Sequence, residues 1–325
     1  MQHSKYIVAS LLTLTLLATT QTHGQALNIA PPTPKAPTTG LHAILIGTGM
    51  PIPNPERASA ATLIIAGGKT YLVDVGFNSV ARLVENGYPQ VDHILFTHFH
   101  LDHYGDLDRM FFNRGTAGAS DPQSVLGPVG TKDIVQKVVE SVAIDEKYRI
   151  EHHGEHWPLQ SMQASVQEFE PGVIFEQDGL KITMFAVDHE PIELAVGYRF
   201  DYEGKSIVVS GDTKWSGDLI AASKDCDILI HEAMNDSILK PVIPMLKRRN
   251  PRQAAMIEDL MEVHTPTRDV AEIAKATNAK KLVLTHLVPS IAPVEAQETN
   301  FVRGMSDIYS GPILVGRDSM LITAE

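Results

Sequence analysis

The chain has 325 residues, of which 43% are hydrophobic, 20% charged and 6% aromatic, with 20 prolines and a single cysteine. This composition excludes collagen-like, disulfide-stapled and wholly disordered proteins, and the length suits one large α/β domain. The 27 Lys plus Arg against 39 Asp plus Glu give a net charge of −12. That charge repels polyanions at long range and disfavours a protein that mainly binds nucleic acid.

Residues 1–24 have the pattern of a secretory signal peptide. Lys5 precedes an apolar run from Ile7 to Ala18, and small residues follow near Gly24. The run of about a dozen residues is shorter than the roughly 20 that span a bilayer. We therefore expect cleavage, export to the periplasm or the medium, and no stable membrane insertion afterwards, with an uncleaved anchor as the alternative. Residues 25–40 are rich in proline and predict an extended linker, followed by one folded domain at 41–325.

Apolar β-type runs alternate with helical patterns along this domain. We predict early strands at 41–47, 61–66, 70–76 and 93–98, and helices at 79–85, 131–143, 269–276 and 293–302. Later strands are expected in the segments KITMFAVDH, LAVGYRF, SIVVSGD, CDILIHE and KLVLTHL. Strands that are buried on both faces read as continuous apolar runs, so the pattern predicts sheets with helices packed outside them.

Many of the predicted strands end on a histidine or an aspartate. The carboxyl ends of strands in α/β sheets are where binding sites are built, because loops converge there on a rigid frame. We therefore expect these side chains to share one pocket. They are Asp74, His98, His189, Asp212, His231 and His286.

The strongest motif is the run THFHLDH from Thr97 to His103. His98 and His100 are two residues apart, so in an extended chain both side chains point towards one metal ion. Asp102 and His103, where the chain turns, can face a second ion. The alternative is a polar loop in which Asp102 caps a helix. A dinuclear site needs further nitrogen or oxygen donors from elsewhere, and the candidates are His189, Asp212 and His286.

Together, HFHLDH, His189, SGDT and LTH resemble the metallo-β-lactamase superfamily, from about Leu41 to the end of the chain. The resemblance implies an α/β fold, a four-layer αβ/βα sandwich, with a dinuclear centre at its edge. It implies two divalent metal ions, with zinc expected and manganese or iron left open. It also implies an orienting role for Asp74 beside a ligand histidine, the alternative being a turn residue at a strand end. The implied ligands are His98, His100 and His189 for the first ion, Asp102, His103 and His286 for the second, and Asp212 as the bridge.

Two further motifs, His231-Glu232-Ala233 and His264-Thr265-Pro266-Thr267, resemble the branch that holds ribonuclease Z, related phosphodiesterases and a metal-dependent arylsulfatase group. Their resemblance implies that His264 and His231 are catalytic and that Glu232 orients a neighbouring side chain. We expect Thr265 to cap a helix, which places His264 at a helix N-terminus where anions bind. The alternatives are an exposed loop histidine at position 264 and a buried, backbone-bonded histidine at position 231.

The resemblance also narrows the reaction. True β-lactamases commonly use a cysteine ligand where this chain has Asp212, so antibiotic hydrolysis is disfavoured. The resemblance implies an exported hydrolase of small anionic esters, above all sulfate or phosphate (di)esters, attacked by metal-bound hydroxide. Asp102 would then accept the proton of the attacking group and His264 would protonate the leaving oxygen. A lactonase or other carboxyl-ester hydrolase and an inactive metal-binding module are the alternatives.

Ribonuclease Z enzymes commonly carry a protruding arm before the Ser-Gly-Asp motif, but here Gly197 leads directly to Ser210. Nucleic acid is therefore not the partner we expect, and 3′-tRNA processing is kept as an alternative. The basic stretch 240–252 is predicted to be a solvated loop, with a substrate lid as the alternative. His152, His153 and His156 are assigned to an exposed loop. A homodimer is left open.

Overall fold

A computed structural model describes residues 33–325. The predicted leader, residues 1–24, and the first part of the predicted linker lie outside the described residues. The rest of that linker has no helix or strand. It is not a free tether, however, because the backbone N–H of Lys35 donates to the Asn86 carbonyl at 3.1 Å and Ala36 is buried against Tyr88. The folded part therefore begins slightly before Leu41.

Two seven-stranded sheets form the centre of the molecule. The first has the order β14-β1-β2-β3-β4-β5-β6, antiparallel from β14 to β3 and parallel from β3 to β6. Its strands are β1 (Leu41–Gly47), β2 (Ala61–Ala66), β3 (Lys69–Val73), β4 (His93–Leu95), β5 (Gln123–Pro128), β6 (Ala164–Phe169) and β14 (Met320–Thr323).

The second sheet has the order β13-β12-β11-β10-β9-β8-β7. It is antiparallel from β7 to β10 and parallel from β10 to β13. Its strands are β7 (Gly172–Gln177), β8 (Leu180–Val187), β9 (Ala195–Tyr202), β10 (Lys205–Val209), β11 (Ile228–Met234), β12 (Lys281–Val288) and β13 (Ile313–Val315).

The helices cover the outer faces of both sheets. They are α1 (Ser79–Glu85), α2 (Leu101–Tyr104), α3 (Leu107–Thr116), α4 (Thr131–His153), α5 (Gly217–Ala222), α6 (Asp236–Leu239), α7 (Ile243–Arg249), α8 (Pro251–Val263), α9 (Thr267–Ala276) and α10 (Glu295–Phe301). Helices α1, α3 and α4 pack on the first sheet, and α5, α9 and α10 pack on the second. Among the described residues, no helix combines the length and apolar character needed to cross a membrane.

Strand β1 shows why these segments read as unbroken apolar runs. Leu41, Ala43 and Leu45 point into the core between the two sheets, whereas Ile44 and Ile46 point to the helices outside. All five side chains are buried, because successive residues of a strand face opposite sides and both sides are covered. The layers are therefore helix, sheet, sheet and helix, which confirms the predicted four-layer αβ/βα sandwich.

The element boundaries differ from the prediction where the chain is half exposed. Helix α4 runs to His153, well beyond the predicted end at Ala143, because no helix-breaking residue occurs before Gly154. The predicted loop at 240–252 is instead a hairpin of α7 and α8. Asn250 accepts a hydrogen bond from the N–H of Gln253, and Pro251 occupies the first turn of α8. Both features are standard helix-start signals, and the prediction overlooked them.

Candidate metal centre

The predicted donor residues meet at one edge of the sandwich. The segment that follows β4 carries His98 and His100, and α2 carries Asp102 and His103. His189 follows β8 and Asp212 follows β10. His286 lies inside β12. Thr285 and Leu287 on either side of it pair with consecutive residues of β11, so His286 itself has no partner in β11. This β-bulge re-aims the imidazole towards the other donors.

Three imidazoles and one carboxylate form the first donor group. Nε2 of His98 lies 2.9 Å from Nδ1 of His100, and Nε2 of His189 lies 3.3 Å from the same atom. The donor atoms of these three residues and of Asp212 all lie within 4.8 Å of one another. Burial holds the pKa of His98 well below its usual value, so this imidazole is neutral, the form that binds metal.

The second donor group consists of Asp102, His103 and His286. Oδ2 of Asp102 lies 3.6 Å from Nε2 of His103 and 3.3 Å from Nε2 of His286. Asp212 faces both groups, since its Oδ2 is 3.3 Å from each of these two imidazoles and 3.9 Å from Nε2 of His98. Burial favours protonation of Asp212, yet His286 and His103 hold the pKa of this carboxyl well below its usual value.

These residues fit a pair of divalent cations. Nε2 of His103 is buried without a hydrogen-bond partner in the described part of the chain, which is costly unless another ligand engages it. The first group turns several imidazole nitrogens towards one point, where a cation would satisfy more than one lone pair. A carboxylate between two such groups suits a bridge. Donors of nitrogen and oxygen only are compatible with zinc and with other first-row metals.

Asp74 fixes the ring of His103. Its Oδ2 lies 2.8 Å from Nδ1 of His103, and its two carboxylate oxygens accept hydrogen bonds from the N–H and the hydroxyl of Thr97. Asp74 has φ of 63°, a left-handed conformation that a non-glycine residue adopts at some cost. Thr97 was not predicted as a site residue, although it directly precedes the HFHLDH motif.

We expect Asp74→Ala to weaken metal binding by about 10- to 100-fold, the usual effect of removing an acid that orients a ligand histidine. The metal dissociation constant is measured by competition with a chromogenic chelator. Asp74→Asn should recover part of the loss, because an amide oxygen can still accept from Nδ1–H of His103. Unchanged affinity in Asp74→Ala would show that this carboxylate does not support the metal site.

His264 borders the donor groups and is held by Glu232. Its Nδ1 lies 3.3 Å from Oε1 of Glu232, which also accepts the backbone N–H of Thr265 at 2.8 Å. Burial would lower the pKa of His264, but the Glu232 carboxylate raises it to about 9. The Glu232 carboxylate forms an ion pair with Nδ1 without a hydrogen bond in the described residues, and the His264 ring lines the adjacent cavity. Glu232 therefore orients His264.

Two predictions about these motifs are corrected by the structure. Thr265 does not cap a helix, because its hydroxyl donates to the Thr213 carbonyl at 2.6 Å and its N–H is held by Glu232. His264 instead ends α8, at the C-terminal side where a helix favours a cation.

His231 is fully buried, with Nδ1 hydrogen-bonded to the Glu232 carbonyl. It does not line the cleft, so the buried, backbone-bonded alternative describes its position.

The end of α8 also supports a predicted metal ligand. The carbonyl of Val263 accepts from Nδ1 of His189 at 3.0 Å, which leaves Nε2 of that ring for the first donor group. No sequence motif marks Val263, because the contact uses its backbone.

The remaining histidines lie elsewhere. His152, His153 and His156 are exposed at the end of α4 and in the 3₁₀ turn Gly154–His156, so the predicted loop is a helix end. They do not join either donor group.

Comparison with known proteins agrees with this geometry. A family model described as a β-lactamase superfamily domain matches residues 69–287. Proteins named ribonuclease Z are similar over most of the chain. The one from Mycobacterium bovis BCG Pasteur is 32% identical over 283 residues, which cover 86% of this chain and 96% of the relative. The one from Mycobacterium marinum is 31% identical over 84% of this chain and 95% of the relative.

Solved structures show the same fold at lower identity. The metallo-β-lactamase fold protein YhfI from Bacillus subtilis has a TM-score of 0.64 and 18% identity, and the match covers 87% of this chain and 98% of that one. The short form of human tRNase Z has a TM-score of 0.62 and 20% identity, with coverage of 87% and 99%.

Proposed function

The chain belongs to the metallo-β-lactamase superfamily, in its ribonuclease Z branch, and on that premise we propose that it hydrolyses phosphodiester bonds. Its broader class, a metal-dependent hydrolase of ester bonds, follows from the family. One observation carries the proposal: Asp212 faces both donor groups, and His264 stands beside them with its Nδ1 3.3 Å from Oε1 of Glu232. Among the sulfate and phosphate (di)esters that the sequence suggested, the relatives named ribonuclease Z favour phosphodiesters.

Each residue of the site has a separate role in the proposed reaction. Divalent metal ions held by the two groups would polarise the ester and lower the pKa of a water molecule to about 7. Asp102 belongs to the second group and is placed to orient the attacking water and accept its proton. His264 holds a proton on Nε2 and delivers it to the leaving oxygen. Glu232 keeps the His264 ring in the required orientation.

The test is hydrolysis of bis-p-nitrophenyl phosphate by the purified protein. We expect turnover that disappears with a chelator and returns when zinc is added. Hydrolysis of p-nitrophenyl sulfate or of a lactone, without hydrolysis of the diester, would favour those alternatives. Two bound metal ions without turnover of any of these esters would point to an inactive metal-binding module.

Export and oligomeric state stay predictions. Cell fractionation combined with N-terminal sequencing checks whether the chain leaves the cytoplasm and is cleaved near residue 24. Light scattering on the purified protein decides whether it forms a homodimer.

Processing of the 3′ end of tRNA precursors is the second candidate. The relatives named ribonuclease Z align over 94–96% of their length, so the expectation that nucleic acid is not a partner lacks support from them. The predicted absence of an arm before the Ser-Gly-Asp motif agrees with the structure, since only Glu203 and Gly204 join β9 to β10. The missing arm disfavours tRNA, whereas the basic hairpin of α7 and α8 is a structural feature that favours RNA.

The tip of this hairpin carries Arg248, Arg249 and Arg252, all exposed and without an ion pair in the described residues. Helix α8 has 13 residues, so the tip lies about 20 Å along the helix from His264. Phosphates of a long substrate would meet these guanidinium groups while one ester bond occupies the cleft.

Reversal of all three charges to Glu should lower cleavage of a tRNA precursor by at least about tenfold at low salt, because each lost phosphate contact weakens binding. Turnover of bis-p-nitrophenyl phosphate should stay within about twofold. The matched control reverses three exposed lysines of α4, Lys132, Lys137 and Lys147, which changes the net charge equally. An equal loss in both variants would mean that overall charge alone is responsible.

A further inference from the structure

An apolar wall borders the cleft beside the donor groups. A cavity of about 430 Å³ opens there, and its apolar lining residues come from four separate segments of the chain. Helix α8 contributes Leu260 and Val263, and α2 contributes Leu101. We call these five residues the apolar wall: Pro51, Leu101, Pro191, Leu260 and Val263.

The wall is available to a ligand. Leu101 is 56% exposed although it sits between two predicted metal ligands, His100 and Asp102. Leu260 packs one side against a small cluster that includes Met50 and Met234 and turns another towards the cavity. Exposed apolar side chains scattered singly are ordinary, but several around one cavity beside polar donors are typical of a small-molecule site.

The charges at the cavity favour one anionic group and disfavour several. Among the described residues, no lysine or arginine lines the cavity, whereas the acidic residues Glu190 and Asp259 line it. Lys214 is nearby, but its ammonium group lies 3.4 Å from Asp188 and 3.5 Å from Glu190 and is thereby neutralised. Binding of a chain of phosphates needs cations along its path. In this cavity, attraction for an anion is confined to the donor groups and His264.

We propose that this cavity binds a small substrate with one anionic ester group at the metal donors and one aryl or alkyl group, about the size of a ring, against the apolar wall. The inference rests on the proposed function, because it takes the donor groups as the place where the ester lies. Leu260 and Leu101 are then specificity-determining residues. The ester group is common to many substrates of such a centre, and the wall selects among them.

The test compares phenylphosphonate with methylphosphonate, which share the anionic group and differ by the ring. Affinities for the zinc-loaded full-length protein are measured by calorimetry. We expect phenylphosphonate to bind at least about tenfold more tightly, since burial of a ring removes a large apolar area from water. In Leu260→Asn the ratio should fall below about threefold. Leu101→Asn, at a position that is 56% exposed, should lower the ratio in the same direction.

Met245→Asn is the matched control. Met245 is an exposed residue of α7 in the same hairpin and does not line the cavity, so the ratio should stay at the wild-type value. Equal affinities of the wild-type protein for both phosphonates, or no binding of either, would overturn the inference. Tighter binding of a dinucleotide such as uridylyl-uridine than of phenylphosphonate would also overturn it, in favour of nucleotide subsites.

The outcome is separable from that of the proposed function, because these measurements require no turnover. Selective binding of phenylphosphonate by a protein that does not hydrolyse bis-p-nitrophenyl phosphate would leave the inference standing and remove the proposed function. Diester hydrolysis without selectivity between the phosphonates would do the reverse.

Discussion

Asp212→Asn is expected to reduce the metal content from two ions to at most one per chain and to lower phosphodiester turnover by at least about a thousandfold. Oδ2 of Asp212 faces imidazoles of both donor groups, so the amide weakens both groups at once. Loss of a single preorganised electrostatic donor already costs about 10²- to 10³-fold in other enzymes. Metal is measured by atomic emission, and turnover with bis-p-nitrophenyl phosphate.

Asp227→Asn is a suitable control for this experiment. Asp227 is also a buried carboxylate beside the second sheet, but it accepts from Ser206 and Lys280 and belongs to neither donor group. The Asp227→Asn variant should retain both metal ions and wild-type turnover. If Asp212→Asn kept two metal ions with wild-type affinity, the bridging role of this carboxylate would be wrong.

The sequence allowed much of this site to be predicted because the donors occupy places that strands determine. His189 follows β8 and Asp212 follows β10, and both strands pair antiparallel with β9 between them, so their carboxyl ends lie at the same edge of the sheet. His286 was expected at a strand end and instead occupies a bulge within β12. Strand β12 is buried on both faces and has no alternation of apolar and polar residues for a bulge to interrupt, so the sequence gives no sign of the inserted residue.

The surroundings of the donors could not be predicted in the same way. Thr265 carries the residue type of a helix cap, but the Glu232 carboxylate and the Thr213 carbonyl take its hydrogen-bonding groups. Those partners come from distant segments, and local propensity does not include them. The apolar wall depends on how α8 lies across the cleft. The position of Leu260 in space, rather than its residue type, decides whether its side chain packs in the core or contacts a ligand.

Helix α8 links substrate selection to the metal centre. Leu260 and Val263 line the cavity, the Val263 carbonyl holds His189, and His264 ends the helix. A group that packs against the wall therefore also presses on the segment that orients a metal ligand and the proton donor. Remote binding energy is commonly used in enzymes to improve alignment at the reacting centre.

His264→Ala is expected to lower turnover by about 10²- to 10⁴-fold, the usual contribution of a general acid, with both metal ions retained. The effect should depend on the leaving group, because p-nitrophenolate departs with little help from a proton whereas phenolate needs it. We therefore expect the loss to be at least about tenfold larger with diphenyl phosphate than with bis-p-nitrophenyl phosphate. Added imidazole should restore part of the activity.

The position of His264 also permits a different role, since its imidazole lies within 4.8 Å of donor atoms of Asp212 and His286. If His264 were a metal ligand, His264→Ala would lose metal and would lose turnover equally with both diesters.

Glu232→Gln separates the roles further, because the amide can still accept from the Thr265 N–H but no longer holds His264 with a charge. We expect this variant to reproduce the leaving-group dependence at smaller magnitude, with His93→Ala, a histidine of β4 bonded to Ser124, unchanged in both assays.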